Sequence, residues 1–212
     1  MAKPLDLDEQ EQLDQLRAWW SKYGTAILSV LIIAVAVLGG WRGWQWYETS
    51  QSTQARGYFE ALEEAGRQQG DESIARINAA MQTLRTEFGA TDYAARGALV
   101  AASALASRNE LQAARTQLEW LAQTKNATLL PVAKLRLAGI LLEQKDFDAA
   151  LSQLTEPPVP FVGLYADRRG DILSAQGKGG AAREAWTQAI EALGAANPLT
   201  PVVKLKLDAL GA

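Results

Sequence analysis

The stretch AGILLEQKDFDAALSQL, Ala138 to Leu154, lies without gaps over GDILSAQGKGGAAREAW, Gly170 to Trp186, at an offset of 32 residues. In both, a small residue (Ala138, Gly170) is followed twelve positions later by alanine (Ala150, Ala182), and four positions after that by a large apolar residue (Leu154, Trp186). Ala102, Ala114 and Leu118 carry the same spacing 36 residues upstream of the first stretch. The small residue and the alanine let the two helices of a hairpin approach closely. The large side chain fills the gap toward the next hairpin. A further internal match sets PVAKLRL, from Pro131, against PVVKLKL, from Pro201, 70 residues apart or about two repeats. It makes Pro201–Leu210 the first helix of another hairpin whose second helix is missing, a lone helix closing the apolar end of an array.

Outward from these repeats, residues 50–210 are rich in Ala, Leu, Gln, Glu and Arg, all good helix formers, with apolar residues at helical spacing. Turn chemistry interrupts them at Gly70-Asp71, Gly89-Ala90-Thr91, Arg108-Asn109, Lys125-Asn126, Lys145-Asp146, Pro157 to Pro160, Gly177 to Gly180, and Asn197-Pro198. The segments between predict helices of about 10–17 residues paired by short turns. A small–alanine–large pattern with a period near 34 residues is that of tetratricopeptide repeats. The expected fold is therefore all-α, with an α-hairpin solenoid over residues 47–212. A helical bundle without repeats is the alternative. The first pair, near 52–68 and 72–87, fits the pattern poorly, as a degenerate repeat or as a helix continuing from upstream.

Upstream, no charged residue lies between Lys22 and Arg42. Ala26–Leu38 reads AILSVLIIAVAVL, with Ser29 its only polar side chain. About 20 helical residues cross a hydrocarbon core. Trp19, Trp20 and Tyr23 flank the run on one side, and Trp41, Trp44, Trp46 and Tyr47 on the other. Amphipathic rings at both ends are the aromatic belts of a spanning helix. The expectation is a tail over 1–24 and a single transmembrane helix over 25–46. A cleaved signal peptide is the rival, but the segment before the run is long and carries Asp6, Asp8, Glu9, Glu11 and Asp14 against Lys3, Arg17 and Lys22. Arg17 and Lys22 near one end, against Arg42 and then Arg56 near the other, predict a cytoplasmic N-terminus. In the tail, Leu13, Leu16 and Trp20 share one helical face, which serves either an interfacial helix or a partner motif.

From residue 48 onward, 17 Lys and Arg stand against 19 Asp and Glu, without the clustered basic run of a nucleic-acid binder. The chain has no cysteine and no histidine, which removes thiolate chemistry, the commonest general base and the commonest metal ligand. Its carboxylates alternate with Lys and Arg on predicted solvent faces. The expectation is a non-enzymatic protein with no cofactor, no metal and no small-molecule substrate.

The run EQEQL from Glu9, followed by Leu16-Arg17-Ala18-Trp19-Trp20-Ser21-Lys22-Tyr23-Gly24, resembles the acidic tail and Trp-Trp entry of the ancillary SecYEG translocon subunit family. Gly40-Trp41-Arg42-Gly43-Trp44 resembles that family's exit from the span, and Lys204 to Leu210 its closing helix. The resemblance implies a bacterial inner-membrane protein with a periplasmic tetratricopeptide-like domain. It implies as partners the SecYEG channel, a membrane-anchored periplasmic chaperone of the parvulin-like class, and newly translocated proteins. A generic envelope scaffold is the alternative. By resemblance to tetratricopeptide geometry, a partner groove would include Arg96, Leu99, Val132, Leu135, Leu142, Leu164 and Asp167. That set is mostly apolar, suited to loose contact with unfolded or amphipathic segments.

Overall fold

A computed structural model describes residues 7–124 and 126–211, with side chains from residue 11 onward. Residues 1–6 of the expected tail, including Lys3 and Asp6, lie outside the described residues, as do Lys125 and the side chains of Asp8 and Glu9. The chain divides into two compact units, Met1–Gln51 and Ser52–Ala212.

One helix, α1 (Leu7–Arg67), enters both units. No proline occurs between Pro4 and Pro131 to interrupt it. In the first unit every side chain from Thr25 to Trp46 is exposed, including the unbroken aliphatic surface of Val30 to Leu38. The Ser29 hydroxyl donates to the Thr25 carbonyl at 2.8 Å, within the helix. The unbroken helix pairs its own backbone N–H and C=O groups, the condition a backbone must meet in hydrocarbon. Among the described residues, α1 is the one helix long and apolar enough to cross a membrane. Trp19 tilts against Trp20 and Tyr23, and Trp44 against Tyr47, grouping the rings at the two ends of the aliphatic stretch.

The second unit is a row of helices in which each packs on the next: α2 (Asp71–Glu87), α3 (Asp92–Ala106), α4 (Leu111–Gln123), α5 (Leu130–Glu143), α6 (Phe147–Ser152), α7 (Val162–Ala175), α8 (Gly179–Leu193) and α9 (Thr200–Ala209). Local chemistry sets their ends. Gly70, at φ +98°, breaks the chain between α1 and α2, and Asp71 and Glu72 then meet the positive end of α2. The Thr91 side chain accepts from the Ala94 N–H to cap α3. Pro131 and Pro201 occupy the first turns of α5 and α9, where a missing N–H costs nothing.

The repeat is visible in the backbone itself. Asn109, Lys145 and Gly177 are left-handed, at φ 63°, 62° and 75°. They lie 36 and 32 residues apart, the offsets of the sequence repeats. After each, the next N–H reaches back over the turn: Glu110 to Leu105, Asp146 to Leu141 and Lys178 to Leu173, all at 2.9 Å. Three α-hairpins, α3–α4, α5–α6 and α7–α8, thus share one turn.

One alternative is decided, and one element differs from the length expected. The helix entering the first pair is no separate element but the end of α1, since nothing between Trp46 and Arg67 breaks it. The second helix of the middle hairpin, α6, has only 6 residues. Left-handed Glu156 and then Pro157 and Pro158 turn the chain into a short 3₁₀ segment, Val159–Phe161, before α7. Leu154 is nonetheless fully buried beyond the end of α6.

Small residues decide how closely the helices meet. A Cβ on Gly170 would stand 2.4 Å from the Trp186 ring, and one on Gly163 2.6 Å from Leu193, so α7 and α8 touch at two glycines. Gly97 lets α3 approach Leu62 of α1 and Leu84 of α2. One core cluster runs from Ala55 to Ile172. A second joins Ala166, Ala182, Trp186 and Ala189 to Val203 of α9. Arg108, in the α3–α4 turn, donates to the carbonyls of Ala104, Gly66 and Gln68, tying the C-terminal end of α1 to the first hairpin.

Candidate partner-binding groove

The first helix of each hairpin presents a row of side chains to the same side of the second unit. Phe59, Glu63, Gly66 and Arg67 of α1, Arg96, Leu99, Val100 and Ser103 of α3, Ser107 just past its end, and Arg136 of α5 wall a groove of about 640 Å³. It runs on, through the shared Ser103 and Arg136, into a hollow of about 350 Å³ bounded by Gly139, Glu143 and Arg168. The two hollows together form a continuous cleft with charged walls that can take an extended peptide segment.

The wall follows the repeat. Val100, Arg136 and Arg168 are equivalent positions at offsets of 36 and 32, and the 70-residue match brings Lys206 into the same register. Arg136 and Lys206 reach back to the preceding hairpin, while Arg168 pairs within its own helix. Arg136 donates to the Leu99 carbonyl at 3.0 Å. Lys206 donates to Asp167 at 2.7 Å and Asp171 at 2.8 Å. Arg168 stands 3.6 Å from Asp171. Burial pulls the Lys206 ammonium down, but the hydrogen bonds and charges of Asp167 and Asp171 more than reverse that and leave its pKa raised. Burial also raises the Tyr165 phenol, which donates to the Pro131 carbonyl at 2.9 Å.

Of the seven groove positions expected from sequence, the structure brings Arg96 and Leu99 into this groove, and the other five do not line it. Leu135 and Leu142 pack against the main core. Asp167 is paired with Lys206. Val132 and Leu164 are half-buried. The nine positions expected in repeat packing, Ala102, Ala114, Leu118, Ala138, Ala150, Leu154, Gly170, Ala182 and Trp186, are all buried. The six anchor rings Trp19, Trp20, Tyr23, Trp41, Trp44 and Trp46 are all exposed. Sequence reasoning missed Arg136 and Arg168. The signal was present: the aligned PVAKLRL and PVVKLKL set Arg136 over Lys206, and Arg168 follows Arg136 by one repeat. Among the described residues, no three His, Cys, Asp or Glu gather as a metal site would require.

The tetratricopeptide repeat-like domain family matches residues 17–212. The chain is 29% identical over 206 residues to the ancillary SecYEG translocon subunit of Neisseria gonorrhoeae, covering 96% of this chain and 98% of that protein. It is 28% identical over 185 residues to the protein of that name from Haemophilus influenzae, covering 86% and 89% of the two. To that from Escherichia coli it is 29% identical over 187 residues, covering 87% and 88%.

Proposed function

The chain belongs to the tetratricopeptide repeat-like family of ancillary SecYEG translocon subunits, and from that premise we propose that it is a non-enzymatic subunit of the translocon linking translocation to the periplasmic chaperone network. The observation that carries the reading is that likeness to these subunits extends along almost the whole chain, so it takes in the apolar helix as well as the repeats. The structure supplies what such a subunit needs: an aliphatic helix surface with rings at both ends, and an open groove on a repeat domain.

In this reading residues 1–24 are cytoplasmic, 25–46 span the inner membrane, and 47–212 form the periplasmic domain. Arg17 and Lys22 support that orientation. The domain meets a membrane-anchored chaperone of the parvulin-like class and hands newly translocated proteins on to it. Affinity purification of the tagged chain from membranes in mild detergent, followed by mass spectrometry, is expected to recover SecYEG together with that chaperone. Recovery of a different envelope complex without SecYEG would sink the reading in favour of a generic scaffold. A C-terminal alkaline phosphatase fusion is expected to be active, and an inactive one would reverse the topology.

A further inference from the structure

We propose that the groove along α1, α3, α5 and α7 is a docking site for an acidic peptide segment of a partner protein, held by Arg96, Arg136 and Arg168. The inference rests on the reading of the chain as a protein-interaction subunit, and it names the chemistry of the segment bound.

The first argument is charge. The chain as a whole carries a net charge of −3. The groove reverses that sign: four arginines, Arg67, Arg96, Arg136 and Arg168, face it against two acids, Glu63 and Glu143. A patch opposite in sign to its surroundings steers and selects partners of the other sign.

The second argument is that three of these charges are incompletely compensated. Arg96 is exposed and, among the described residues, makes no ion pair. Arg136 spends a hydrogen bond on the neutral Leu99 carbonyl and keeps its full charge at the groove surface. Arg168 has one carboxylate within reach, Asp171 at 3.6 Å, and that same carboxylate accepts from Lys206 at 2.8 Å. The Arg168 Nε is buried without a hydrogen-bond partner. Planar guanidinium forks match carboxylates two bonds at a time. With one arginine on each of three successive hairpins, a segment lying along the groove meets a cation at every repeat, while Leu99 and Val100 offer apolar contact beneath it.

The test uses the full chain in phosphatidylcholine nanodiscs. The probes are a fluorescein-labelled 12-residue peptide bearing four glutamates and its counterpart with glutamine at those four positions. By fluorescence anisotropy, the glutamate peptide is expected to bind about tenfold more tightly, and its affinity to fall between 50 and 300 mM NaCl. Arg96→Gln, which removes no hydrogen bond or ion pair among the described residues, is expected to weaken it about fivefold with an unchanged melting profile, and Arg96→Glu further. Equal affinity for the two peptides, or binding indifferent to both Arg96 variants, would overturn the proposal. SecYEG recovery is measured in parallel. A chain that recovers SecYEG but shows no preference for glutamate overturns the groove assignment alone. One that prefers glutamate but recovers no SecYEG supports the groove and overturns the functional reading.

Discussion

Gly170→Ala offers a sharp test of how these hairpins are packed. The residue lies in mid-α7, where alanine for glycine ordinarily gains about 0.5–1 kcal/mol of helix stability. Here the new methyl would stand 2.4 Å from the Trp186 ring. Trp186 has little room to yield. It is 4% exposed, and its indole N–H donates to the Asp167 carbonyl at 3.2 Å. Forcing a methylene-sized group into such a site costs about 1–3 kcal/mol, so the net effect is a loss of about 1–2 kcal/mol. Gly139, in mid-α5, is the control, because its added Cβ would meet only the Arg168 guanidinium at an ordinary 3.7 Å. Gly139→Ala is therefore expected to stabilise by about 0.5 kcal/mol. In urea, followed by far-UV circular dichroism on the full chain in micelles, a slope near ~2 kcal/mol per molar places Gly170→Ala about 0.5–1 M below the parent midpoint. Gly139→Ala lies slightly above it. In a Trp186→Leu background the Gly170→Ala penalty should vanish, which makes the coupling between the two sites measurable. If both glycine variants shift the midpoint the same way, or if the penalty persists without the indole, close approach of α7 to α8 is not what Gly170 provides.

Three further outcomes follow from the same contacts. Arg108→Ala removes charge-assisted bonds to the carbonyls of Gly66, Gln68 and Ala104 and is expected to cost about 2–3 kcal/mol, with amide exchange accelerated over the last turns of α1; exchange unchanged there would show that the tie is not what holds that end. Lys145 sits left-handed where the next hairpin has Gly177, so Lys145→Gly is expected to stabilise by about 0.5–1 kcal/mol and Gly177→Ala to destabilise by about 1 kcal/mol in the same urea assay. The folded pKa values of Lys206 and Tyr165 are both raised, so their contribution is complete below about pH 10 and is lost as pH rises through the folded values. Melting temperature should fall above that pH, and less steeply in Lys206→Met and Tyr165→Phe; an unaltered slope in both variants would remove these groups as the cause.

The hairpin array was legible because its determinants are local. Small residues twelve apart, polar turns and Pro at first turns each act within one hairpin, and the left-handed positions 109, 145 and 177 recur with the sequence offsets. The length of α6 was less legible. A proline pair at 157 and 158 marks where a helix cannot continue, but the helix ends four residues before Glu156, at Ser152, and the chain still buries Leu154. Nothing in the single sequence says that burial of the large residue of the repeat survives loss of the helix beneath it. The run of α1 to Arg67 is one of the two alternatives that the sequence left open for the first pair. From Glu48 to Glu64 the sequence includes the weak helix formers Thr49, Ser50, Ser52, Thr53 and Gly57 but no proline, and the left-handed break comes at Gly70.

Five of the seven expected groove positions lie away from the opening, two of them by one step of helical rotation, and the physics of that step is informative. Successive helical residues point about 100° apart. Expected wall positions Leu99, Leu135 and Asp167 are neighbours of Val100, Arg136 and Arg168, which stand in one register of the repeat. The first set carries two leucines and an aspartate, the second a valine and two arginines. Periodicity alone cannot choose between them, because both faces border the core and both recur every 32–36 residues. The choice is made by which side chains the neighbouring helices cover: Leu135 is taken into the main core and Asp167 by Lys206, while Arg136 and Arg168 are left along the opening. A one-residue change of register thus converts a surface for loose apolar contact into one with a preference for carboxylates, and the charge of the bound segment becomes the property that tells the two apart.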